Sequence, residues 1–343
     1  MGSPVPDAAV PDLADVLAAR RVIHGVAERT PLVPSTHLSR LAGQDFLLKL
    51  DLAQPTGAFK LRGATNAVAG LPAGTPGVVC CSTGNHGRGV AYAARAMGLR
   101  AVVCMSELTP EAKRAGVRAF GAELRIVGQS QDEAEDEVAR LAEAEGLAAI
   151  SPFDDPRVVA GQGTIGLEMM EARPDLDTLL VPLSGGGLAG GIALASKAIK
   201  PSVRVIGVSM DRGAAMHASL EAGKPVRVRE VASLADSLGG GIGLDNRLTY
   251  RLCRDLLDDV VLVTETEIYR ALQTIYYEDA IVCEGACVVG VAAMQAGRLP
   301  PFHGPVATVI TGRTLDMRLH ADVMQGRDVT LGDTTIPGAS YEP

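Results

Sequence analysis

The sequence predicts an α/β protein in which open, twisted parallel sheets are flanked by helices. From residue 78 onward, short apolar runs alternate with helical segments, which is the pattern of right-handed βαβ units. The chain has 343 residues, enough for two domains of ordinary size. Apolar residues make up 47% of it and aromatic residues only 3%, so we expect a large core built mainly from aliphatic side chains.

The individual elements follow from periodicity and from the residues that interrupt it. Apolar residues recur at helical spacing over residues 12–28, which predicts an amphipathic helix ended by Thr30-Pro31. Short apolar runs predict strands, and longer amphipathic or charged segments predict helices. Strands are predicted at 46–50, 78–82, 101–105, 124–127, 178–182, 203–209 and 306–311, and further helices at 60–68, 90–97, 110–120, 131–145 and after residue 191.

Charge and composition exclude several classes of function. The net charge is −8, acidic and basic residues are interspersed, and no basic stripe indicates a nucleic-acid partner. No window approaches the ~18 consecutive apolar residues of a membrane span, and we find no signal-peptide pattern. We therefore expect a cytoplasmic protein that binds neither nucleic acid nor membrane, with its six cysteines as buried thiols rather than disulfides or metal ligands.

Residues 55–60, P-T-G-A-F-K, contain the first candidate catalytic residue, Lys60. A lysine amine can form an imine with a carbonyl cofactor if its pKa is depressed, and burial beside an apolar side chain such as Phe59 would depress it. The alternative is a surface lysine at the start of a helix. This segment alone leaves both interpretations open.

A glycine-rich loop at residues 184–191, S-G-G-G-L-A-G-G, follows a predicted buried strand and precedes a helix. Backbone N–H groups without side chains in the way, together with a helix N-terminus, form a site suited to phosphate. The loop matches neither the G-x-x-x-x-G-K-[ST] motif nor the dinucleotide fingerprint. The alternative is a tight turn with close helix packing.

Two further loops carry polar residues directly after predicted strands. In S-T-G-N-H-G, residues 82–87, N–H and hydroxyl groups could hold a carboxylate, and Asn85 could bond a phenolate oxygen. For His86 we favour a structural role over acid–base catalysis, because the sequence shows no partner carboxylate. In T-G-R, residues 311–313, the Thr311 hydroxyl could meet a pyridine nitrogen, and such a neutral partner would weaken the electron sink of that ring.

These four segments, in this order, resemble those of the fold-type II pyridoxal 5′-phosphate (PLP) enzymes, the tryptophan synthase β family. The similarity runs from about Asp12 to Asp316. F-D-D at 153–155 and A-G-Q-G-T at 160–164 are typical of the threonine dehydratase and serine racemase branch, and cysteine synthases are less similar.

The resemblance implies PLP as the cofactor, a small amino-acid substrate and a homodimer. Each subunit would have a large PLP-binding domain, residues 1–78 and 152–343, and a small substrate-loop domain, residues 79–151. Family roles can also be carried onto the matching residues. The resemblance implies that Lys60 is the Schiff-base lysine and the base that removes the Cα proton. It places Phe59 against the ring, Asn85 at the ring oxygen, Thr311 at the ring nitrogen and Glu284 near the cofactor. The phosphate would be bound by Gly185, Gly186, Gly187 and Leu188, and the substrate carboxylate by Ser82, Thr83, Gly84 and His86.

Two departures from that branch narrow the expected chemistry. Thr83 stands where serine racemases have the serine that protonates the opposite face of the substrate, and its extra methyl makes it a poorer candidate, so elimination is favoured over racemisation. The branch often binds a divalent cation through carboxylates. Those positions are Ser209, Gly213 and Ala215 here, so no such metal is expected.

Two usual glycines are also replaced, by Ser237 near the ring and by Arg313 in the last loop. Arg313 brings a cation that could reach a substrate group or a carboxylate such as Glu284. With these changes, S-T-G-N-H-G-R-G, S-L-G-G-G-I-G-L-D-N-R and T-G-R-T-L-D-M resemble the hydroxyectoine-utilisation dehydratases. That resemblance implies a 3-hydroxy-2,4-diaminobutyrate type of substrate, derived from opened hydroxyectoine.

The predicted reaction removes water and then ammonia from a β-hydroxy α-amino acid and gives a keto acid. L-Threonine, L-serine and 3-hydroxyaspartate are alternative substrates. Serine racemisation and β-replacement on an activated serine are alternative reactions of the same cofactor. An inactive binding protein with this fold is a further alternative, against which the intact Lys60 argues.

Overall fold

The structure is a computed structural model that describes residues 10–82, 84–109 and 111–342. Strands and helices alternate along most of this part of the chain, and the predicted α/β class is confirmed. The strands are β1 (Leu32–Pro34), β2 (Phe46–Lys49), β3 (Gly77–Cys81), β4 (Arg100–Met105), β5 (Glu123–Ile126), β6 (Ala148–Ala149), β7 (Thr178–Pro182), β8 (Arg204–Met210), β9 (Asp259–Val263), β10 (Val306–Val309), β11 (Val329–Leu331) and β12 (Thr334–Ile336). The helices are α1 (Leu13–Ile23), α2 (Thr36–Ala42), α3 (Lys60–Ala69), α4 (Asn85–Ala96), α5 (Glu111–Arg118), α6 (Gln131–Glu145), α7 (Pro156–Ala172), α8 (Gly187–Ile199), α9 (Ala215–Glu221), α10 (Thr249–Leu256), α11 (Glu265–Asp279), α12 (Val289–Gln295) and α13 (Met317–Met324).

The larger sheet has six strands in the order β1-β2-β10-β7-β8-β9. Its neighbouring strands are parallel except for β1, which pairs antiparallel with β2 at the edge. Every residue of β7 is buried, as expected for a strand covered on both faces. Leu180 packs towards α11 and α12, whereas Leu179 and Val181 pack towards α7 and α8.

The smaller sheet has the order β5-β4-β3-β6 and is parallel throughout. Val78 and Val103 pack with α3 and α4 on one face, and Val79 and Val102 pack with α6 on the other. The hairpin β11-β12 forms a separate pair near the end of the chain. The predicted domain boundaries, at residues 79 and 151, stay a prediction.

Each of the predicted loops follows the carboxyl end of a parallel strand, which is where open parallel sheets bind their ligands. The loop at 82–84 follows β3, the glycine-rich loop follows β7, and Thr311 follows β10. The first two loops lead directly into helix N-termini, those of α4 and α8.

Several predicted boundaries were wrong. α1 ends at Ile23, five residues before the predicted end, because His24 leaves the helical conformation and Gly25 has φ +80°. α4 begins at Asn85 instead of residue 90, so Asn85 and His86 lie in its first turn rather than in a loop.

Two composition-based expectations can be compared with the structure. The six cysteines, all in described positions, form no disulfide, and five of them are buried while Cys81 is half-buried. No helix among the described residues is long and apolar enough to cross a membrane.

Candidate active site

Lys60 is the first residue of α3, and its amine points into the interior. Nζ donates a hydrogen bond of 2.7 Å to the carbonyl oxygen of Pro152 and lies 5.3 Å from the centre of the Phe59 ring. The residue keeps some exposure, but burial of the amine lowers the pKa of Lys60 to about 8. The surface-lysine alternative therefore does not hold.

The turn before Lys60 is held against the loop that follows β10. Gly57 has φ +80°, a conformation that favours glycine. The Phe59 N–H donates to the Thr311 carbonyl, and the Arg313 N–H donates to the Gly57 carbonyl, both at 2.9 Å. Lys60 and the predicted ring-nitrogen partner Thr311 are thus fixed to one another through backbone hydrogen bonds.

The glycine-rich loop forms a cradle at the N-terminus of α8. Gly186 caps the helix with φ +87°, and no described group accepts from the N–H of Gly185 or Gly186. The first N–H groups of a helix have no intrahelical partner, so the Gly187 and Leu188 amides are also available. A Cβ on Gly185 would lie only 2.3 Å from Cδ1 of Phe153, so residue 185 must be glycine for this close approach.

Phe153 also connects the cradle to Lys60. It directly follows Pro152, whose carbonyl accepts a hydrogen bond from the Lys60 amine. A Cβ on Gly187 would in turn lie 2.9 Å from the Phe153 Cα, so the backbone passes close to the loop. The predicted phosphate loop and the predicted cofactor lysine therefore share one neighbour.

Asn85 opens α4 and faces the buried carboxyl of Glu284. Its Nδ2 donates to the two Glu284 oxygens at 2.9 and 3.2 Å, and its Oδ1 is buried without a partner among the described residues. Ser237 Oγ and the Thr314 N–H also donate to Glu284, at 2.5 and 2.8 Å. Burial raises the pKa of Glu284, although these donated hydrogen bonds act in the opposite direction.

Arg313 is not a partner of Glu284, so that part of the sequence interpretation was wrong. The Glu284 carboxyl is already occupied by the three donors just described. The Arg313 side chain is exposed, and its guanidinium forms no ion pair within the described part of the chain. Its predicted contact with substrate stays a prediction.

Thr311 is buried, and its hydroxyl lies beside a thiol. Its Oγ1 is 3.3 Å from the Cys287 Sγ. The same thiol donates to the Gly312 carbonyl at 3.0 Å and accepts from the Gly312 N–H at 3.1 Å. No charged group forms a hydrogen bond with the Thr311 hydroxyl in the described residues, which suits a partner for an unprotonated pyridine nitrogen.

The loop after β3 carries the predicted substrate-carboxylate residues. Ser82 Oγ accepts from the Gly84 N–H at 3.2 Å. His86 is buried, and its Nε2 lies 2.9 Å from the carbonyl oxygen of Ile150, which makes this nitrogen a donor. Burial, and then the charge of Lys60, lower the pKa of His86 to about 3, so the ring is neutral. Thr83 lies outside the described residues, and substrate contact by this loop stays a prediction.

The arrangement fits PLP. An aldehyde would meet the amine of Lys60, and the ring would meet the Asn85 amide and the Thr311 hydroxyl. A phosphate would meet the N–H groups of Gly185 and Gly186, which have no acceptor among the described residues. Consistent with this fit, a family model described as pyridoxal-phosphate dependent enzyme matches residues 23–312. The chain belongs to this family. The predicted family and cofactor are confirmed.

Similar proteins narrow the branch of this PLP enzyme. A putative threonine dehydratase of Sinorhizobium fredii is 52% identical over 92% of this chain and 95% of its own. An L-threonine ammonia-lyase of Thermotoga maritima is 39% identical over 90% of this chain and 76% of its own. The maize serine racemase structure has a TM-score of 0.87 at 31% identity and covers 92% of this chain and 98% of that chain. The structure of processed threonine deaminase isoform 2 from Solanum lycopersicum has a TM-score of 0.85 at 30% identity, with 95% and 93% covered. The chain is therefore a threonine dehydratase-like PLP enzyme.

Ser209, Gly213 and Ala215 occupy the positions at which we expected no divalent cation to bind. Ser209 is buried, with its hydroxyl 3.5 Å from the Met210 sulfur. No group of three or more His, Cys, Asp or Glu side chains in the described part of the chain could hold a metal ion. That the enzyme needs no metal stays a prediction.

Three neighbours of the site were missed by sequence reasoning. The Pro152 carbonyl is a backbone group, so its contact with Lys60 cannot be predicted from the residue type. Cys287 was expected only as one of six buried thiols, whereas its Sγ contacts the Thr311 hydroxyl and donates to the Gly312 carbonyl. Asp154, within the F-D-D segment, accepts from the N–H groups of Leu248 and Thr249.

Proposed function

We propose that this enzyme removes water and then ammonia from a β-hydroxy α-amino acid and releases a keto acid. The observation that carries the proposal is the Lys60 amine, which burial keeps ready to lose its proton near pH 8, beside an anion cradle and a neutral hydroxyl. The dehydratase and ammonia-lyase names of the similar proteins support the reaction class.

The chemistry follows from what each side chain can do. When bound, PLP supplies a conjugated system that makes the Cα–H bond of the attached amino acid acidic. A neutral Lys60 amine is a base of suitable strength to accept that proton. The neutral Thr311 hydroxyl does not protonate a pyridine nitrogen, which favours prompt loss of the β-hydroxyl over a long-lived carbanion. His86 stays neutral and bonded to Ile150, so it moves no proton.

For the substrate, we propose a β-hydroxy amino acid larger than threonine, of the 3-hydroxy-2,4-diaminobutyrate type, in the breakdown of hydroxyectoine. The support is the set of three sequence segments that resemble hydroxyectoine-utilisation dehydratases, including the replacement Ser237. Ser237 is engaged with Glu284 at the site. L-Threonine remains the alternative that the names of the similar proteins favour.

A second candidate substrate is 3-hydroxyaspartate, and Arg313 favours it. The Arg313 backbone is fixed to Gly57, three residues before Lys60, and its guanidinium has no carboxylate partner among the described side chains. A guanidinium binds a second carboxylate well, whereas it would repel the distal ammonium of a diaminobutyrate.

One assay separates these substrates. Purified protein with added PLP is incubated with each of L-threonine, L-serine, 3-hydroxyaspartate and 3-hydroxy-2,4-diaminobutyrate, and keto acid and ammonia are measured. We expect equal amounts of keto acid and ammonia, with the highest kcat/KM on the diaminobutyrate. A higher kcat/KM on 3-hydroxyaspartate that Arg313→Gln abolishes would favour the second candidate.

Two outcomes would overturn the reaction itself. Inverted substrate on chiral analysis, without keto acid, would indicate a racemase. Product formation only from an acylated serine with sulfide would indicate β-replacement.

We propose a cytoplasmic homodimer on the family resemblance, and light scattering at several protein concentrations tests the subunit number.

A further inference from the structure

A cluster of charged side chains lies buried behind Lys60 and takes no part in the proposed chemistry. Lys49, Asp51, Arg62 and Glu168, here called the buried quartet, are each at most 5% exposed. Two cations and two carboxylates give the quartet a formal charge of zero. Arg62 is only two residues after Lys60, in the first turn of α3.

Arg62 is the centre of the quartet. Its guanidinium donates twice to Asp51, both at 2.9 Å, and twice to Glu168, at 2.6 and 2.9 Å. Lys49 donates to Glu168 and to the Thr30 carbonyl. Burial acts to lower the pKa of Arg62, but the two carboxylates outweigh it and the pKa is raised, so the guanidinium stays charged.

Arg62, and not a capping side chain, ties the start of α3 to its surroundings. Phe59 occupies the N-cap position in a helical conformation, and no side chain caps the helix. Asp51 lies in the turn that leads into the lysine segment, so the two bonds from Arg62 to Asp51 hold that segment at its other end.

The same guanidinium sets α3 against α7. A Cβ on Gly161 would lie 2.6 Å from the Gly63 Cα, so the two helix backbones touch next to Arg62. Glu168, on α7, accepts from Arg62 two turns further along. Since α7 begins four residues after Pro152, its position also determines where the carbonyl that accepts the Lys60 amine lies.

We propose that the buried quartet positions Lys60: it locks the first turn of α3 to the 51–53 turn and to α7, and so holds the amine where the cofactor aldehyde would meet it. This inference rests on the proposed role of Lys60. Apolar residues of similar volume would stabilise the interior equally well, since desolvation offsets most of the attraction in a buried ion pair. Fixed geometry is what the planar five-donor guanidinium adds.

The test is Arg62→Lys, which keeps the charge but cannot donate bidentately to two carboxylates. The matched control is Arg140→Lys, because Arg140 also donates twice to one carboxylate, Glu137 at 2.6 and 2.7 Å, but on the exposed face of α6. The readout is the rate at which apo-protein attaches PLP to Lys60, followed by visible absorbance and by borohydride trapping.

We expect attachment at least tenfold slower in Arg62→Lys with its far-UV circular dichroism unchanged, and a wild-type rate in Arg140→Lys. Attachment at the wild-type rate in a folded but less heat-stable Arg62→Lys protein would overturn the proposal. If Arg62→Lys does not fold, Glu168→Gln keeps the shape of a quartet side chain but leaves only one oxygen to accept from Arg62 and Lys49, and it should slow attachment severalfold. A wild-type rate in that variant would equally refute the positioning role. Because attachment rather than turnover is measured, a protein that attaches PLP but makes no keto acid would contradict the proposed reaction and leave this test valid.

Discussion

Gly185→Ala tests the phosphate cradle at the point where the structure leaves least room. The added Cβ would lie 2.3 Å from Cδ1 of Phe153, more than 1 Å inside the ordinary carbon–carbon contact of about 3.5–4.0 Å. Rotating the Phe153 ring about its own axis does not relieve this contact, because Cγ would also lie only 2.5 Å from the added Cβ. The loop must therefore shift by roughly 1 Å, and overpacking of this kind costs about 1–3 kcal/mol.

A shift of that size moves the Gly185 and Gly186 N–H groups away from a bound phosphate. Hydrogen bonds to a charged group contribute about 1.5–3 kcal/mol each, so the dissociation constant for PLP should rise roughly 10–100-fold. The assay is a titration of apo-protein with PLP, followed by visible absorbance. Thermal unfolding of the apo-protein separates a loss of binding from a loss of folding.

The matched control is Gly241→Ala, in which the nearest atom to the added Cβ is 4.0 Å away and φ is not positive. We expect its PLP affinity to stay within about twofold of wild type. If Gly185→Ala binds PLP as tightly as this control does, the loop is a packing turn and not the phosphate site.

Three further predictions concern titration and hydrogen bonding. PLP attachment to Lys60 should accelerate about tenfold per pH unit below pH 8 and level off above it, because burial lets the amine lose its proton at lower pH; a rate that still climbs to pH 10 would contradict the lowered pKa. Glu284→Gln should change the free energy of unfolding by less than about 1 kcal/mol, because an amide oxygen still accepts from Asn85. Glu284→Ala should lower the free energy of unfolding by about 2–4 kcal/mol, because it leaves buried donors unsatisfied. Equal losses for the two variants in denaturant titrations would refute this. The ring resonances of His86, assigned by comparison with His86→Asn, should not move between pH 5 and 9, and a titration near pH 6.5 would show that the ring is not held neutral.

The segments that follow parallel strands were the part of the site that the sequence could predict. Topology places the loops after β7 and β10 side by side, because these two strands are neighbours in the larger sheet. β3 belongs to the smaller sheet, so the position of its loop depends on how the two sheets pack. The residue types predicted the chemical role of each segment, because glycines before a helix offer free N–H groups and a lysine offers an amine. The outcome for Lys60 needed the structure, because only its surroundings show that the amine is buried.

Contacts between distant residues could not be read from the sequence. Asn85 and Glu284 are 199 positions apart, and Arg62 and Glu168 are 106 apart. Such pairs depend on how α4, α3 and α7 pack, which local patterns do not specify. The start of α11, by contrast, could have been predicted from a local pattern, because Thr264 and Glu267 form a capping box.

The central claim is that PLP attaches to Lys60, and peptide mapping tests it most directly. Holoenzyme is reduced with borohydride and digested, and the peptide that carries the cofactor is identified by mass. We predict modification of Lys60 alone, loss of both the label and keto-acid formation in Lys60→Ala, and retention of both in Lys200→Ala, whose amine also donates to backbone carbonyls but lies outside the site. A label on another lysine, or full turnover by Lys60→Ala, would contradict the account.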